Sequence, residues 1–158
     1  MTFLRIKKIN NHPYCYLVQN KHTKQGPRQK VKKYLGRAYP LEKKQDLEFP
    51  LPEKNNKPQL LKSLIIWELQ QHNFKLKKEN LTQQKFSFHY KTFQPKKQHK
   101  DAVFSLNEGF LCPFTIKRIL NFKKSNDLEK DSRLLAKYFI EAGLQPPQDI
   151  FIKYYQKC

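Results

Sequence analysis

The chain has 158 residues, of which 32 are Lys or Arg and 13 are Asp or Glu, giving a formal charge of +19. This length suits one domain or two very small ones, and an aromatic content of 13 % is too high for a disordered tail of this charge. No run of about 18 apolar residues exists, so we expect no membrane span and no membrane partner. The charged start and three widely spaced cysteines predict a cytoplasmic protein in a reducing compartment.

The positive charge is concentrated in the first part of the chain. Residues 1–41 contain ten Lys or Arg and no acid. Residues 1–100 hold 23 basic and 6 acidic residues, a net charge of +17, whereas residues 101–158 hold 9 and 7, a net charge of +2. A positive surface attracts polyanions, and phosphates that it neutralises release counterions. We therefore expect nucleic acid as the partner. The alternative is a solvated basic face without a specific partner.

Three short segments near the N-terminus have the composition of strands. They cover residues 3–9, 14–19 and 28–35, and turn-forming residues bound each of them. The spacing predicts a three-stranded antiparallel meander at the start of an α+β protein. One face of this meander would pack on the core and the other would meet water.

Strict alternation along these strands sorts their side chains into two faces. The predicted core face carries Leu4, Ile6, Cys15, Leu17, Val31 and Leu35. The predicted outer face carries Arg5, Lys7, Tyr14, Tyr16, Arg28, Lys30, Lys32 and Tyr34, with Arg37 just beyond the third strand. Cations bind phosphates, tyrosine rings stack on bases, and a β-ribbon fits the major groove. The outer face is therefore the predicted nucleic-acid site. The alternative is an ordinary polar face.

Residues 26–37 read Gly-Pro-Arg-Gln-Lys-Val-Lys-Lys-Tyr-Leu-Gly-Arg. This stretch resembles the opening of many insertion-sequence transposases, where strands of the form R-x-K-x-x-G-x-x-Y-x-Y-L-V lead into R-Q-x-V-x-x-Y-L-G. The earlier strands are matched loosely by Arg5, Lys7, Lys8, Tyr14, Tyr16, Leu17 and Val18. The resemblance covers a quarter of the chain and implies a β-rich arm that contacts DNA ends.

The remainder of the chain departs from that family. Such a transposase needs a large RNase-H-like domain with three carboxylates around metal, and residues 42–158 contain no acidic trio at strand ends. The resemblance therefore implies a nucleic-acid-binding arm and not transposition. The stretch Leu106–Cys112 is similar to an L-N-E-G-[FY]-L-C stretch in small uncharacterised archaeal basic proteins. That similarity supplies no activity.

The middle of the chain begins with a proline-rich segment. Residues 40–58 contain four prolines and predict a linker or an extended crossing segment. Residues 59–72 predict a helix whose apolar stripe is broken only by Glu68 and which covers the apolar face of a small sheet. We expect four units: a basic β-meander (1–39), a linker (40–58), a helix plus β-hairpin (59–111) and a helical unit (112–158).

Residues 74–111 look rich in strands. Phe86, Phe88 and Tyr90 alternate with polar residues, and residues 102–106 form a second candidate strand. Between them lies a predicted basic loop, Gln94–Lys100. Its cations, Lys96, Lys97 and Lys100, are either a second phosphate contact or the solvated tip of a hairpin.

In the last third of the chain, apolar residues recur at the spacing of a helix. A short helix is predicted from Pro113, and a second is predicted to be capped by Ser125 or Asn126 and to end at Gly143. The buried face of the second helix is predicted to comprise Leu128, Leu135, Tyr138, Phe139 and Ala142. Residues 147–156 predict a final short helix. Because this unit has little net charge, we expect a structural role or a contact with a protein partner.

Motifs that carry chemistry are not found in the sequence. It has no histidine pair at ligand spacing, no Cys-x-x-Cys, no Gly-rich phosphate loop and no nucleophile elbow. We therefore predict no catalytic residue, no metal and no cofactor. The favoured function is that of a non-enzymatic DNA-binding protein associated with the nucleoid. The first alternative is an RNA- or ribosome-associated protein. The second is a metal-dependent nuclease, weakly suggested by Asp46, Glu48 and Lys54.

Overall fold

The computed structural model describes residues 1–53 and 56–158. These residues form four helices and nine strands, so the predicted α+β class is confirmed. The strands are β1 (Thr2–Ile9), β2 (His12–Thr23), β3 (Gly26–Pro40), β4 (Lys75–Lys77), β5 (Asn80–Gln83), β6 (Phe86–His89), β7 (Gln94–Lys97), β8 (Lys100–Leu106) and β9 (Gly109–Leu111). The helices are α1 (Lys57–Gln71), α2 (Pro113–Leu120), α3 (Leu128–Glu141) and α4 (Gln148–Gln156).

The predicted N-terminal meander is confirmed, with longer strands than the sequence suggested. β1 pairs with β2 and β2 with β3, both antiparallel. Asn10 and Asn11 make the first turn with φ values of 50° and 63°, which asparagine tolerates better than most residues. The second turn contains Gly26 at φ 103°. β2 and β3 reach 12 and 15 residues, so their shared hairpin is the longest in the described chain.

The meander joins the rest of the sheet through a parallel contact. Arg37–Pro40 of β3 pair with Ala102–Ser105 of β8, and the sheet then continues in the order β8-β7-β6-β5-β4. Gly36 precedes this contact at φ +125°, and a Cβ there would lie 2.6 Å from the Asp101 carbonyl oxygen. Only glycine combines that backbone angle with so close an approach.

The predicted central helix is confirmed as α1. Its start is capped by Asn56, whose side chain accepts a hydrogen bond from the Gln59 nitrogen at 2.9 Å. The buried face of α1 lies in the main core, together with Phe88 and Phe104 of the sheet. The meander has a second, smaller core. That core contains the buried residues Cys15, Ala38, Val103 and Cys112, against which Leu4, Ile6, Leu35, Phe110 and Phe114 pack.

The proline-rich segment before α1 packs along that helix. The Trp67 indole donates a 2.8 Å hydrogen bond to the Leu47 carbonyl, and the Phe49 ring meets the Trp67 ring edge-on at 5.5 Å. The Lys44 nitrogen donates to the Gln71 carbonyl at 2.8 Å. Residues 41–53 thus cross α1 without forming a helix or strand.

The basic segment Gln94–Lys100 differs from the predicted loop. Gln94–Lys97 are strand β7 and Lys100 begins β8, so only residues 98 and 99 form the turn between them. A two-residue turn suffices because Gln98 adopts φ 55°.

The C-terminal helices follow the predicted order, with two corrections in α3. Its cap is Asp127, which accepts from the Lys130 nitrogen at 3.0 Å, and not Ser125 or Asn126. Ser125 is engaged elsewhere, since its hydroxyl donates to Asp131 at 2.8 Å. Leu128 was predicted to be buried but is 68 % exposed, because Asp131 takes the buried position at that end. The helix ends before Gly143, as predicted.

Among the described residues, no helix is both long enough and apolar enough to cross a membrane.

Candidate nucleic-acid interface

Two β-bulges in β3 decide which side chains share a face. The pairing with β2 shifts between Cys15 and Tyr16 and again between Leu17 and Val18. Lys32 and Leu35 are therefore extra residues without a direct partner on β2. Each bulge reverses the alternation, so the strict period of two that the sequence predicts fails within this strand.

The bulges correct the predicted faces at three positions. Val31 lies opposite Val18 and is 47 % exposed on the outer face, although the sequence predicted it in the core. Arg28 lies opposite Lys21, and Lys30 lies opposite Gln19. Directly opposed residues share a face. Arg28 and Lys30 therefore lie on the side of the sheet opposite the tyrosines and not beside them.

The outer side of the meander keeps most of the other predicted residues together. We call this surface the tyrosine face; it comprises Arg5, Lys7, His12, Tyr14, Tyr16, Tyr34, Arg37 and Tyr39. The Tyr34 ring centroid lies 5.2 Å from that of Tyr16 and 6.4 Å from that of Tyr14. The Lys7 ammonium lies 5.4 Å from the Tyr16 ring, and the Arg5 guanidinium donates to the Gln29 side chain. Cations and aromatic rings thus alternate across three strands.

Arg37 extends the tyrosine face towards β7. Its guanidinium lies 2.7 Å from His12 Nδ1 and 5.1 Å from the Tyr39 ring. A guanidinium has no acceptor, so His12 Nδ1 accepts this hydrogen bond and the ring proton resides on Nε2. On the far side, the Lys97 ammonium lies 4.6 Å from the Tyr39 ring. Lys97 is therefore brought to the tyrosine face.

The other two cations of the predicted basic loop are placed differently. Lys100 lies directly opposite Lys97 and shares its side of the sheet, whereas Lys96 lies opposite Asp101 on the other side. Tyr39 is not among the residues predicted from the sequence, because the third strand was predicted to end at residue 35. Alternation continued from Arg37 would have found it.

A second cationic surface lies on the reverse of the same hairpin. We call it the lysine face; it comprises Lys21, Arg28, Lys30 and Lys33. Residues 20–29 extend past the end of β1, whose first paired residue, Thr2, lies opposite Gln19. We call this two-stranded projection the arm; among the described residues, no further strand pairs with it on either side. Lys21 and Lys33 are not among the binding residues predicted from the sequence.

The charge of both faces is left uncompensated. Within the described chain, none of the ten Lys or Arg of residues 1–41 forms a salt bridge. All seven ion pairs of the described chain join residues between 42 and 141. Lys21 even lies directly opposite Arg28. Like charges in such positions destabilise a sheet. The electrostatic field of this region is therefore available to an external anion.

Tyr34 stays neutral on this surface. Partial desolvation, followed by the neighbouring hydroxyls of Tyr16 and Tyr14, raises the pKa of Tyr34 above its ordinary value. The hydroxyl is protonated at pH 7 and can donate a hydrogen bond to a phosphate oxygen. It adds no negative charge that would repel the phosphate.

The described residues contain no group of three or more His, Cys, Asp or Glu placed to hold a metal ion. Of the weakly suggested nuclease residues, Asp46 forms an ion pair with Lys43 at 3.3 Å, and Lys54 lies outside the described residues.

No protein-family model, no curated protein and no solved structure matches the chain.

Proposed function

We propose that this protein binds nucleic acid, with duplex DNA favoured, and that the tyrosine face is the binding surface. One observation carries the proposal: a solvent-facing sheet surface combines cations and tyrosines in a segment that contains no acid. Arg5, Lys7, Arg37 and Lys97 would neutralise phosphates, and the tyrosines would contact sugars or bases between them.

The shape of the arm supports DNA over RNA. A two-stranded antiparallel ribbon fits the major groove of B-form DNA, which is about 12 Å wide. The major groove of an A-form RNA duplex is too deep and narrow for side chains to reach. Binding to an RNA duplex would therefore use only the tyrosine face, without the arm in a groove. RNA association is the alternative function that the experiment below decides.

The test compares fluorescence anisotropy of labelled duplex DNA, duplex RNA and single strands, with and without Mg²⁺. For the double variant Arg5→Ala/Lys7→Ala, we expect the DNA affinity to fall by about tenfold and the salt slope to shrink by about 1.8, since two phosphate contacts are lost. The melting temperature should stay nearly unchanged because both side chains are exposed.

The matched control is Lys43→Ala/Lys44→Ala, which removes the same charge from a segment where Asp46 and Glu42 already pair with these lysines. Its DNA affinity should stay close to that of the parent chain. Equal losses in both variants would mean that net charge alone drives binding. Stronger binding to duplex RNA would establish the RNA alternative, and degradation that requires Mg²⁺ would establish the nuclease.

A further inference from the structure

The lysine face is separated from the tyrosine face by the thickness of the sheet. Lys21, Arg28, Lys30 and Lys33 lie on the side shared with Cys15 and Leu17, the reverse of the side shared with Tyr14 and Tyr16. A β-ribbon that lies in a groove turns one face to the bases and the other to solvent. One straight duplex can therefore contact the tyrosine face or the lysine face, but not both.

The lysine face continues onto the body of the protein. A cleft of about 180 Å³ lies near the base of the arm, and its lining includes Lys33, Tyr34 and Leu35 of β3, Asp101 of β8, and Phe114 and Lys117 of α2. A neighbouring groove shares Phe114 and Lys117 and reaches Lys123. The side chains of β3 and α2 thus form a concave corner with lysines on both walls. The lysines on both walls would attract a polyanion.

Among the described residues, one acid, Asp101, lines this corner. Asp101 is exposed, and within the described chain it forms no salt bridge with Lys33 or Lys117. The opposed pair Lys21 and Arg28 adds a local repulsion that a bound phosphate would relieve. The reverse side of the sheet thus has the same electrostatic character as the tyrosine face, at a separate location.

We propose that the protein bridges two DNA duplexes, one on the tyrosine face and one in the corner formed by the lysine face and α2. This inference rests on the proposed function, because it requires that the tyrosine face binds DNA. It adds a second site and a second activity, the joining of two segments. A single chain suffices, since the two surfaces face in opposite directions.

The test is a two-duplex capture. A biotinylated 40-base-pair duplex on beads is incubated with the full chain and then with a fluorescent duplex of unrelated sequence. Two variants are compared: Lys21→Ala/Arg28→Ala/Lys30→Ala on the lysine face and Arg5→Ala/Lys7→Ala on the tyrosine face. Each should reduce capture of the fluorescent duplex by about tenfold, because two or three phosphate contacts are lost at one site. Each should still bind a single duplex through the intact face.

The outcomes separate this inference from the proposed function. If the parent chain binds no duplex, both proposals fail. If it binds one duplex but captures no second duplex at any ratio of protein to DNA, bridging is overturned and the proposed function stands. If only one of the two variants loses capture, the duplexes are joined by self-association of chains through a single face, which also overturns bridging by two faces. Loss of capture in both variants, with full capture by Lys43→Ala/Lys44→Ala, supports it.

Discussion

The meander and the rest of the described chain differ in their ion pairs: the meander has none, whereas all seven lie at residues 42 and beyond. Around α1, even a buried acidic side chain has partners: Glu68, 2 % exposed, accepts a hydrogen bond from Asn107 Nδ2 at 2.9 Å and lies 3.2 Å from His72 Nε2. In the meander, no cation has an acidic partner within the described chain. An ion pair within the fold is an interaction that can contribute to stability. A region whose cations have no acidic partner within the fold is suited to bind an external anion.

Two arginines show the same difference. Arg118 on α2 forms a 2.6 Å ion pair with Glu141, and its guanidinium lies 4.2 Å from the Tyr138 ring and 5.3 Å from the Phe114 ring. Arg28 on the arm donates a hydrogen bond to the side chain of Gln25 in the same hairpin, and within the described residues it forms no salt bridge. The first arginine joins two helices, whereas the second leaves its charge exposed to solvent.

The largest difference in stability is expected between substitutions of two glycines, Gly109 beside α3 and Gly26 in the arm. A Cβ at Gly109 would collide with backbone atoms of Ile140 and Gly143, which cannot move without shifting the end of α3. Gly109→Ala should therefore lower the free energy of unfolding by about 3 kcal/mol or more. A Cβ at Gly26 in the arm meets nothing within 4 Å, so Gly26→Ala should cost only about 1 kcal/mol, from its φ of +103°. Urea denaturation of both variants measures this difference, and equal losses would contradict it.

A smaller difference in the free energy of unfolding is expected between alanine substitutions of the two arginines, Arg118 and Arg28. Arg118→Ala removes a half-buried ion pair and two aromatic contacts, so it should lower the free energy of unfolding by about 1–2 kcal/mol. Arg28→Ala should change it by less than about 0.5 kcal/mol, and loss of the repulsion with Lys21 could even raise it. Urea denaturation of each variant measures its change in the free energy of unfolding. A loss for Arg28→Ala as large as that for Arg118→Ala would place Arg28 in the fold and not in a binding surface.

The sequence alone was sufficient to predict those elements whose structure is determined by the local pattern of residues. The strands around Arg5, Lys7, Tyr14 and Tyr16 alternate without interruption, so their shared face was predicted correctly. α1 was predicted from its apolar stripe, and Glu68, the one residue that breaks the stripe, is buried because hydrogen bonds satisfy it. Gly143 was predicted as the end of α3 because glycine readily adopts a positive φ.

The sequence was insufficient where distant residues determine structure. Nothing in the segment from Arg28 to Leu35 marks Lys32 and Leu35 as bulge residues. Yet the bulge at Lys32 puts Arg28 and Lys30 on the side opposite Tyr34, and the bulge at Leu35 puts Arg37 on the same side as Tyr34. The extension of β3 to Pro40 depends on pairing with β8, more than 60 residues further along the chain. The cap of α3 depends on Asp131 engaging Ser125, which leaves Asp127 to begin the helix. Single-sequence alternation carries none of this information.

The proposed function depends most on whether the unpaired cations of the meander bind DNA. The most direct measurement is the affinity of the full chain for a 20-base-pair duplex at several salt concentrations. If one face neutralises three to four phosphates, log K should fall linearly with log salt with a slope of about −3 to −4. An affinity that stays constant between about 50 and 200 mM salt, or no binding at low salt, would contradict the account.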